Sequence, residues 1–165
     1  MATAALSLGS NLEPRRGHLA LALKRLGQEP FKLLAVSHLY ESEPVDVLDQ
    51  PRFLNMAALV ETGLGPLGTL HALQAIEAEA GKAIVIRRGP RTLDLDLLLY
   101  DGAAIESPEL TLPHGRMQDR AFVLKPLAEV APLWRHPVSG RTVAELLAAL
   151  PPDGPAADDL GPLEA

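Results

Sequence analysis

The sequence predicts an α+β fold: an antiparallel sheet with helices packed on one face, followed by short C-terminal helices. Three observations predict it. Short stretches with period-two apolar alternation recur between turns marked by Gly and Pro. Two longer stretches repeat leucines at helical spacing. These stretches follow one another in the order βαββαβ, the ferredoxin-like arrangement. At 165 residues and 47% apolar, the chain suits one domain with a sizeable core.

Residues 4 to 8 are small and apolar and read as the first strand. Gly9-Ser10-Asn11 turns the chain. Ser10 with Glu13 fits a capping box, and Pro14 suits the first turn of a helix. Leu19, Leu23 and Leu26 share one helical face, and Gly27 stops it. Residues 31 to 40 read as the second strand, with Leu34, Val36, His38 and Tyr40 on one side. Residues 41 to 51 read as a long loop. In a third strand over 53 to 61, Phe53, Asn55, Ala57 and Leu59 face one way and Leu54, Met56, Ala58 and Val60 the other. A second helix starts at Pro66 and stops before Gly81, with Leu67, Leu70, Leu73 and Ile76 as its apolar face. A basic loop leads to the strand Leu93 to Tyr100. Residues 120 to 130 and 143 to 150 read as short helices. Residues 1–150 form the expected single domain. Residues 151–165, with four prolines, four acids and no base, read as a mobile tail.

Composition excludes several function classes. The chain has no cysteine, so it forms no disulfide and no thiolate metal site. No apolar run reaches the ~18 residues of a membrane span, and the N-terminus lacks the features of a signal peptide. A cytoplasmic protein is expected. The net charge of −6 argues against a nucleic-acid partner. Even so, 7 of the 15 bases fall between Lys82 and Lys125, enough for a local anion site.

The strongest chemical motif is Arg91-Thr92-Leu93-Asp94-Leu95-Asp96-Leu97-Leu98-Leu99. On a strand, Asp94 and Asp96 share one face roughly 7 Å apart. Leu93, Leu95, Leu97 and Leu99 then face the helices. Two adjacent carboxylates repel unless a cation sits between them, and hard oxygen donors favour magnesium. A lone D-x-D is more often a solvated sheet face. Here Arg87, Arg88 and Arg91 lie just upstream, placed to hold the other side of a polyphosphate.

Two further clusters are polar and aromatic together. His114 and Arg120 can donate to phosphate oxygens, and Phe122 can stack on a flat ring. Phe53 and Asn55 share a strand face, and an amide can read both donor and acceptor edges of a heterocycle. There is no Gly-x-x-x-x-Gly-Lys-Ser/Thr loop and no Rossmann fingerprint. His18, His38 and His71 show no metal-ligand spacing.

The order of these segments resembles the 6-hydroxymethyl-7,8-dihydropterin pyrophosphokinase family of folate biosynthesis. The resemblance runs from Leu6 to about Leu133. It is carried by Leu8-Gly9-Ser10-Asn11, Tyr40-Glu41-Ser42-Glu43-Pro44-Val45 and Gln50-Pro51-Arg52-Phe53-Leu54-Asn55. It continues through Gly89-Pro90-Arg91-Thr92-Leu93-Asp94-Leu95-Asp96, Leu112-Pro113-His114 and Arg120-Ala121-Phe122-Val123-Leu124-Lys125-Pro126-Leu127. The resemblance implies transfer of the β,γ-diphosphate of ATP to the pterin's hydroxymethyl oxygen, with AMP leaving and two magnesium ions on Asp94 and Asp96. The catalytic set it implies adds Arg91 and Lys82. For the pterin it implies Ser42, Glu43, Pro44, Val45, Phe53, Asn55 and Phe122. For ATP it implies Leu70, Gln74, Glu77, Arg87, Arg91, Leu98, Thr111, His114 and Arg120. A monomer with small-molecule substrates and no membrane partner is expected.

The chain departs from the family's pattern in places. The basic loop is one residue shorter. Lys82 stands where an arginine is usual, which keeps the charge and loses the bidentate fork. Arg88 replaces a tryptophan, Gly115 a tyrosine and Glu109 an arginine.

Overall fold

The structure is a computed structural model that describes residues 1–43, 51–81 and 92–163. Its element order is β1 (Ala2–Ser10), α1 (Arg15–Leu26), β2 (Phe31–Val36), β3 (Leu39–Ser42), β4 (Phe53–Thr62), α2 (Pro66–Ala80) and β5 (Asp94–Tyr100). Then come β6 (Ile105–Glu106), β7 (Thr111–Leu112), a 3-10 turn at Met117–Asp119, α3 (Ala121–Val130), α4 (Val143–Ala148) and β8 (Ala157–Gly161).

Antiparallel pairing builds a six-stranded sheet in the order β5-β1-β4-β3-β8, with β2 also on β4. The expected second strand divides at Ser37. Its N–H donates to the Ala57 carbonyl at 2.9 Å, while its side-chain oxygen accepts from the Ala57 N–H at 2.8 Å. The hydroxyl thus takes over one rung of the ladder, so β2 pairs with the far half of β4 and β3 with the near half.

The alternation expected on β4 holds. Leu54, Met56, Ala58 and Val60 join Leu6, Leu8, Leu93, Leu95 and Leu97 in a core under α1 and α2, whose Leu19, Leu26 and Leu73 are fully buried there. Leu67, expected on the same face of α2, lies in its first turn, beyond that core, and is exposed. Ala57 faces a second core with Leu98, Leu99, Leu124 and Leu127. That core lies under α3 and α4, so helices cover both sheet faces and not one.

Leu99 is a second correction. The pairs Ala5↔Leu99 and Leu6↔Leu97 leave Leu98 as an extra residue on β5. Such a bulge resets the alternation. Leu98 and Leu99 therefore both enter the second core, whereas strict period two sends Leu99 to the first.

Two local expectations also change. The Ser10–Glu13 capping box does not form: Pro14 caps α1, and Ser10 Oγ turns to the Leu12 carbonyl at 3.4 Å. Glu13 instead accepts from the Arg15 N–H at 3.2 Å. A full capping box appears at α4, between Thr142 and Glu145. Within the stretch read as a mobile tail, Ala157–Gly161 forms β8 on the outer edge of β3. Lys125 Nζ donates to the Ala157 carbonyl at 3.0 Å, and Arg52 reaches Asp158 at 3.4 Å. Among the described residues, no helix is long and apolar enough to cross a membrane.

Candidate active site

α3 covers one end of the second sheet face, and the polar residues gather toward the other end. Register explains the gathering. Asp94 pairs with Gly9, and Gly9 with Asn55. Cross-strand partners point to one face, so Asp94, Gly9 and Asn55 form a row across β5, β1 and β4. The next row holds Asp96, Ser7 and Ala57. Both aspartates are half-buried, with Leu95 between them turned into the first core.

Gly9 keeps the middle of the row bare. A Cβ there would lie 3.3 Å from Asn55 Oδ1 and 3.7 Å from Phe53 Cδ1. This places Phe53 and Asn55 beside the same patch. Asn55 is buried and donates from Nδ2 to Ser42 Oγ at 2.7 Å. That bond fixes the amide's orientation and ties β3 to β4. Its carbonyl oxygen is turned toward Gly9.

His114 and Arg120 close the aspartate side. The bulged Leu98 exposes its carbonyl to the His114 N–H, 2.9 Å away, and so fastens the Pro113-His114 segment beside β5. Burial holds the His114 imidazole below its ordinary value. The charges of Arg120 and Arg116 act the same way, against the pull of Asp94. Neutral His114 therefore sits within the electrostatic reach of both Asp94 and Arg120. Arg120 caps α3 with its backbone and lies over the Phe122 ring, 5.5 Å from its centre. Its Nε is buried with no hydrogen-bond partner among the described residues. A buried guanidinium N–H left without an acceptor calls for one from outside, and an anionic oxygen satisfies it.

The other expected residues divide. Glu77 on α2 accepts from the Leu95 N–H at 2.8 Å, between the two aspartates. Gln74, one turn earlier, is exposed, and Leu70 is half-buried against the first core. Thr111 and His114 line a cleft of about 310 Å³ with Gly115 and Gln118. Glu109 contacts His71 of α2 at 3.3 Å. The Leu98 side chain is fully buried beneath α3, so only its backbone reaches the site. Glu43 is exposed. Pro44, Val45, Lys82, Arg87, Arg88 and Arg91 lie outside the described residues. Gly9 and Ser7 are residues that sequence reasoning did not assign to the site. The small residues facing Asp94 and Asp96 were the available signal, but only the register showed them aligned.

A family model described as 7,8-dihydro-6-hydroxymethylpterin-pyrophosphokinase (HPPK) matches residues 5–132. A Pseudomonas aeruginosa protein named 2-amino-4-hydroxy-6-hydroxymethyldihydropteridine pyrophosphokinase is 50% identical over 150 residues, 90% of this chain and 92% of that one. A protein of the same name from Methylorubrum extorquens is 42% identical over 155 residues, 93% and 97% of the two chains. The fold is similar to a crystal structure of Plasmodium falciparum HPPK-DHPS with SDX-DHP, at TM-score 0.70 and 17% identity. That match covers 90% of this chain and 43% of the other, so this chain spans less than half of that protein. With the family model spanning most of the chain and a half-identical relative matched nearly end to end, the chain belongs to the 7,8-dihydro-6-hydroxymethylpterin-pyrophosphokinase family.

Proposed function

We propose that the protein transfers the β,γ-diphosphate of ATP to the hydroxymethyl oxygen of 6-hydroxymethyl-7,8-dihydropterin, in folate biosynthesis, on the second face of the sheet. The observation that carries this assignment of the site is the cross-strand row Asp94–Gly9–Asn55. Two strand spacings separate its ends, about 10 Å. A bicyclic ring over Gly9 then meets the Asn55 amide with one edge and directs its hydroxymethyl arm toward the aspartates. Phe53 and Phe122 flank the ring, and Ser42 holds the amide that reads it. The strand and helix order from β1 to β5 supports reading that part as a ferredoxin-like core.

The hydroxymethyl oxygen attacks the β-phosphorus. The bond from that phosphorus to the oxygen bridging it to the α-phosphate breaks, the hydroxyl proton is lost to solvent, and AMP leaves. Such a transfer needs alignment and charge neutralisation more than a covalent nucleophile. Arg120 supplies fixed donors to phosphate oxygens, its orphaned Nε among them. Neutral His114 donates a hydrogen bond beside it. Arg91, Lys82 and Arg87 are assigned to the polyphosphate, and Arg91 with Lys82 to catalysis. Leu70, Gln74, Glu77, Leu98 and Thr111 are assigned to the nucleotide side, Leu98 through its backbone. Glu43, Pro44 and Val45 complete the pterin pocket.

Asp94 and Asp96 suit magnesium. They are two half-buried oxygen donors on one face, next to a neutral imidazole and a guanidinium. They would hold two ions, which when bound neutralise phosphate charge and align attacking and leaving oxygens.

The test is direct. The protein is incubated with ATP, magnesium and the pterin, and adenine nucleotides are followed. Pterin-dependent AMP release is expected. ADP and phosphate formed without pterin, or no turnover, would overturn the assignment.

A further inference from the structure

On the same sheet face, but at its opposite edge, three chemically suited side chains converge from three elements. They are His38 just before β3, Glu129 of α3 and Asp159 of β8, and their donor atoms all lie within 4.8 Å of one another. His38 Nδ1 lies 3.1 Å from Asp159 Oδ1 and 3.9 Å from Glu129 Oε1. From β5 to β8 is four strand spacings, about 19 Å. The cluster is therefore separate from the aspartate pair. We propose that His38, Glu129 and Asp159 form a binding site for a divalent transition metal of the zinc class, which fastens β8 to β3 and α3.

The donor set suits that class. One imidazole and two carboxylates are borderline ligands that zinc takes, at about 2.0–2.2 Å, with water in the remaining positions. Ligands at that distance in a tetrahedral shell stand about 3.4 Å apart. The separations of 3.1 and 3.9 Å straddle this, so small rotations of the side chains bring them into place.

Groups behind the ligands orient them. Glu129 accepts from the Tyr40 hydroxyl at 2.6 Å and from the His38 backbone N–H at 3.1 Å. Asp159 accepts from the Gly161 N–H at 2.8 Å. Burial, and then the Glu129 carboxylate, push the Tyr40 phenol upward, so it stays a donor. Donors of this kind commonly orient metal-bound carboxylates. In this structure the His38 Nδ1 and the Asp159 carboxylate are in hydrogen-bond contact at 3.1 Å.

The side chains are partly exposed, with relative accessibilities of 44%, 31% and 51%, so an ion can enter directly. Binding would hold the strand that pairs with β3 through Ala157 and Ser42, and would do so outside the aspartate pair.

The test uses the full chain, stripped with a chelator and equilibrated with zinc ions in excess magnesium. Bound zinc is counted by elemental analysis, and hydrogen exchange is followed over residues 157 to 161. The wild type and Asp96→Asn should both retain the equivalent that His38→Gln loses, with affinity in the latter at least about tenfold weaker. Zinc should slow exchange in β8 only where His38 is present. Asp159→Asn gives a second reading should His38→Gln fold poorly. Equal zinc content and equal exchange in the wild type and in either variant would overturn the site and leave a proton-bridged ion pair. Neither readout depends on turnover, so the outcome is independent of the proposed reaction.

Discussion

The Leu95 backbone N–H donates to Glu77 Oε2 at 2.8 Å, across the gap between α2 and the edge strand β5. Leu95 stands between Asp94 and Asp96, so one helix carboxylate anchors the backbone that aims both. An edge strand otherwise presents its N–H groups unpaired. Glu77→Ala should lower stability by about 1–2 kcal/mol, the range for a charged hydrogen bond that water partly replaces. It should also lower turnover. Glu77→Gln keeps an acceptor and should recover most of both. Thermal unfolding and AMP release measure the two effects. A turnover loss in Glu77→Gln as deep as in Glu77→Ala would indicate a role for the charge itself.

Asp96 is paired with Ser7 on the second face of the sheet and contributes no apolar packing to either core. Asp96→Ala should reduce pterin-dependent AMP release by about 10²-fold or more. Removing a ligand should cost at least as much as disturbing the groups behind one. The unfolding midpoint should change little. Near-normal turnover would remove Asp96 from the mechanism.

Gly9 lies in the row between Asp94 and Asn55. Gly9→Val adds carbon where even a Cβ sits 3.3 Å from Asn55 Oδ1. The KM for the pterin should rise more than the KM for ATP, because the obstruction lies at the amide end of the row. Steady-state kinetics with each substrate varied in turn would reveal the difference; equal shifts would place the pterin elsewhere.

His136 supplies the pH-dependent prediction. It is 7% exposed, and burial holds its imidazole below the ordinary 6.5. Its Nδ1 accepts from the Ser139 N–H at 3.0 Å and the Val138 N–H at 3.3 Å. As pH falls through about 6.5 the unfolded chain takes up a proton before the folded one does. Stability is therefore full above that pH and declines toward the lower folded value. His136→Asn keeps an acceptor near the same place and does not titrate. It should flatten the slope between neutral and mildly acidic pH in chemical denaturation. His114, also held low, leaves a residual slope.

Sequence alone determined the elements whose periods are local. The alternation of β4, the leucine spacing of α1 and, apart from the exposed Leu67, of α2, and the shared face of Asp94 and Asp96 follow from repeats of 2 and 3.6 residues. The ordered motifs carried the family. Tertiary structure decided what depends on partners distant in the chain. Pairing register set Gly9 between Asp94 and Asn55, and the bulge at Leu98 moved Leu99 to the second core. The edge of β3 drew Ala157–Gly161, polar and acidic in composition, into a strand. His38 meets Glu129 and Asp159 across 91 and 121 residues, a separation at which no sequence spacing carries information. Local backbone geometry repeats along the chain and so can be read there. Strand order and register are set by which surfaces bury one another, and only the folded chain brings those surfaces together.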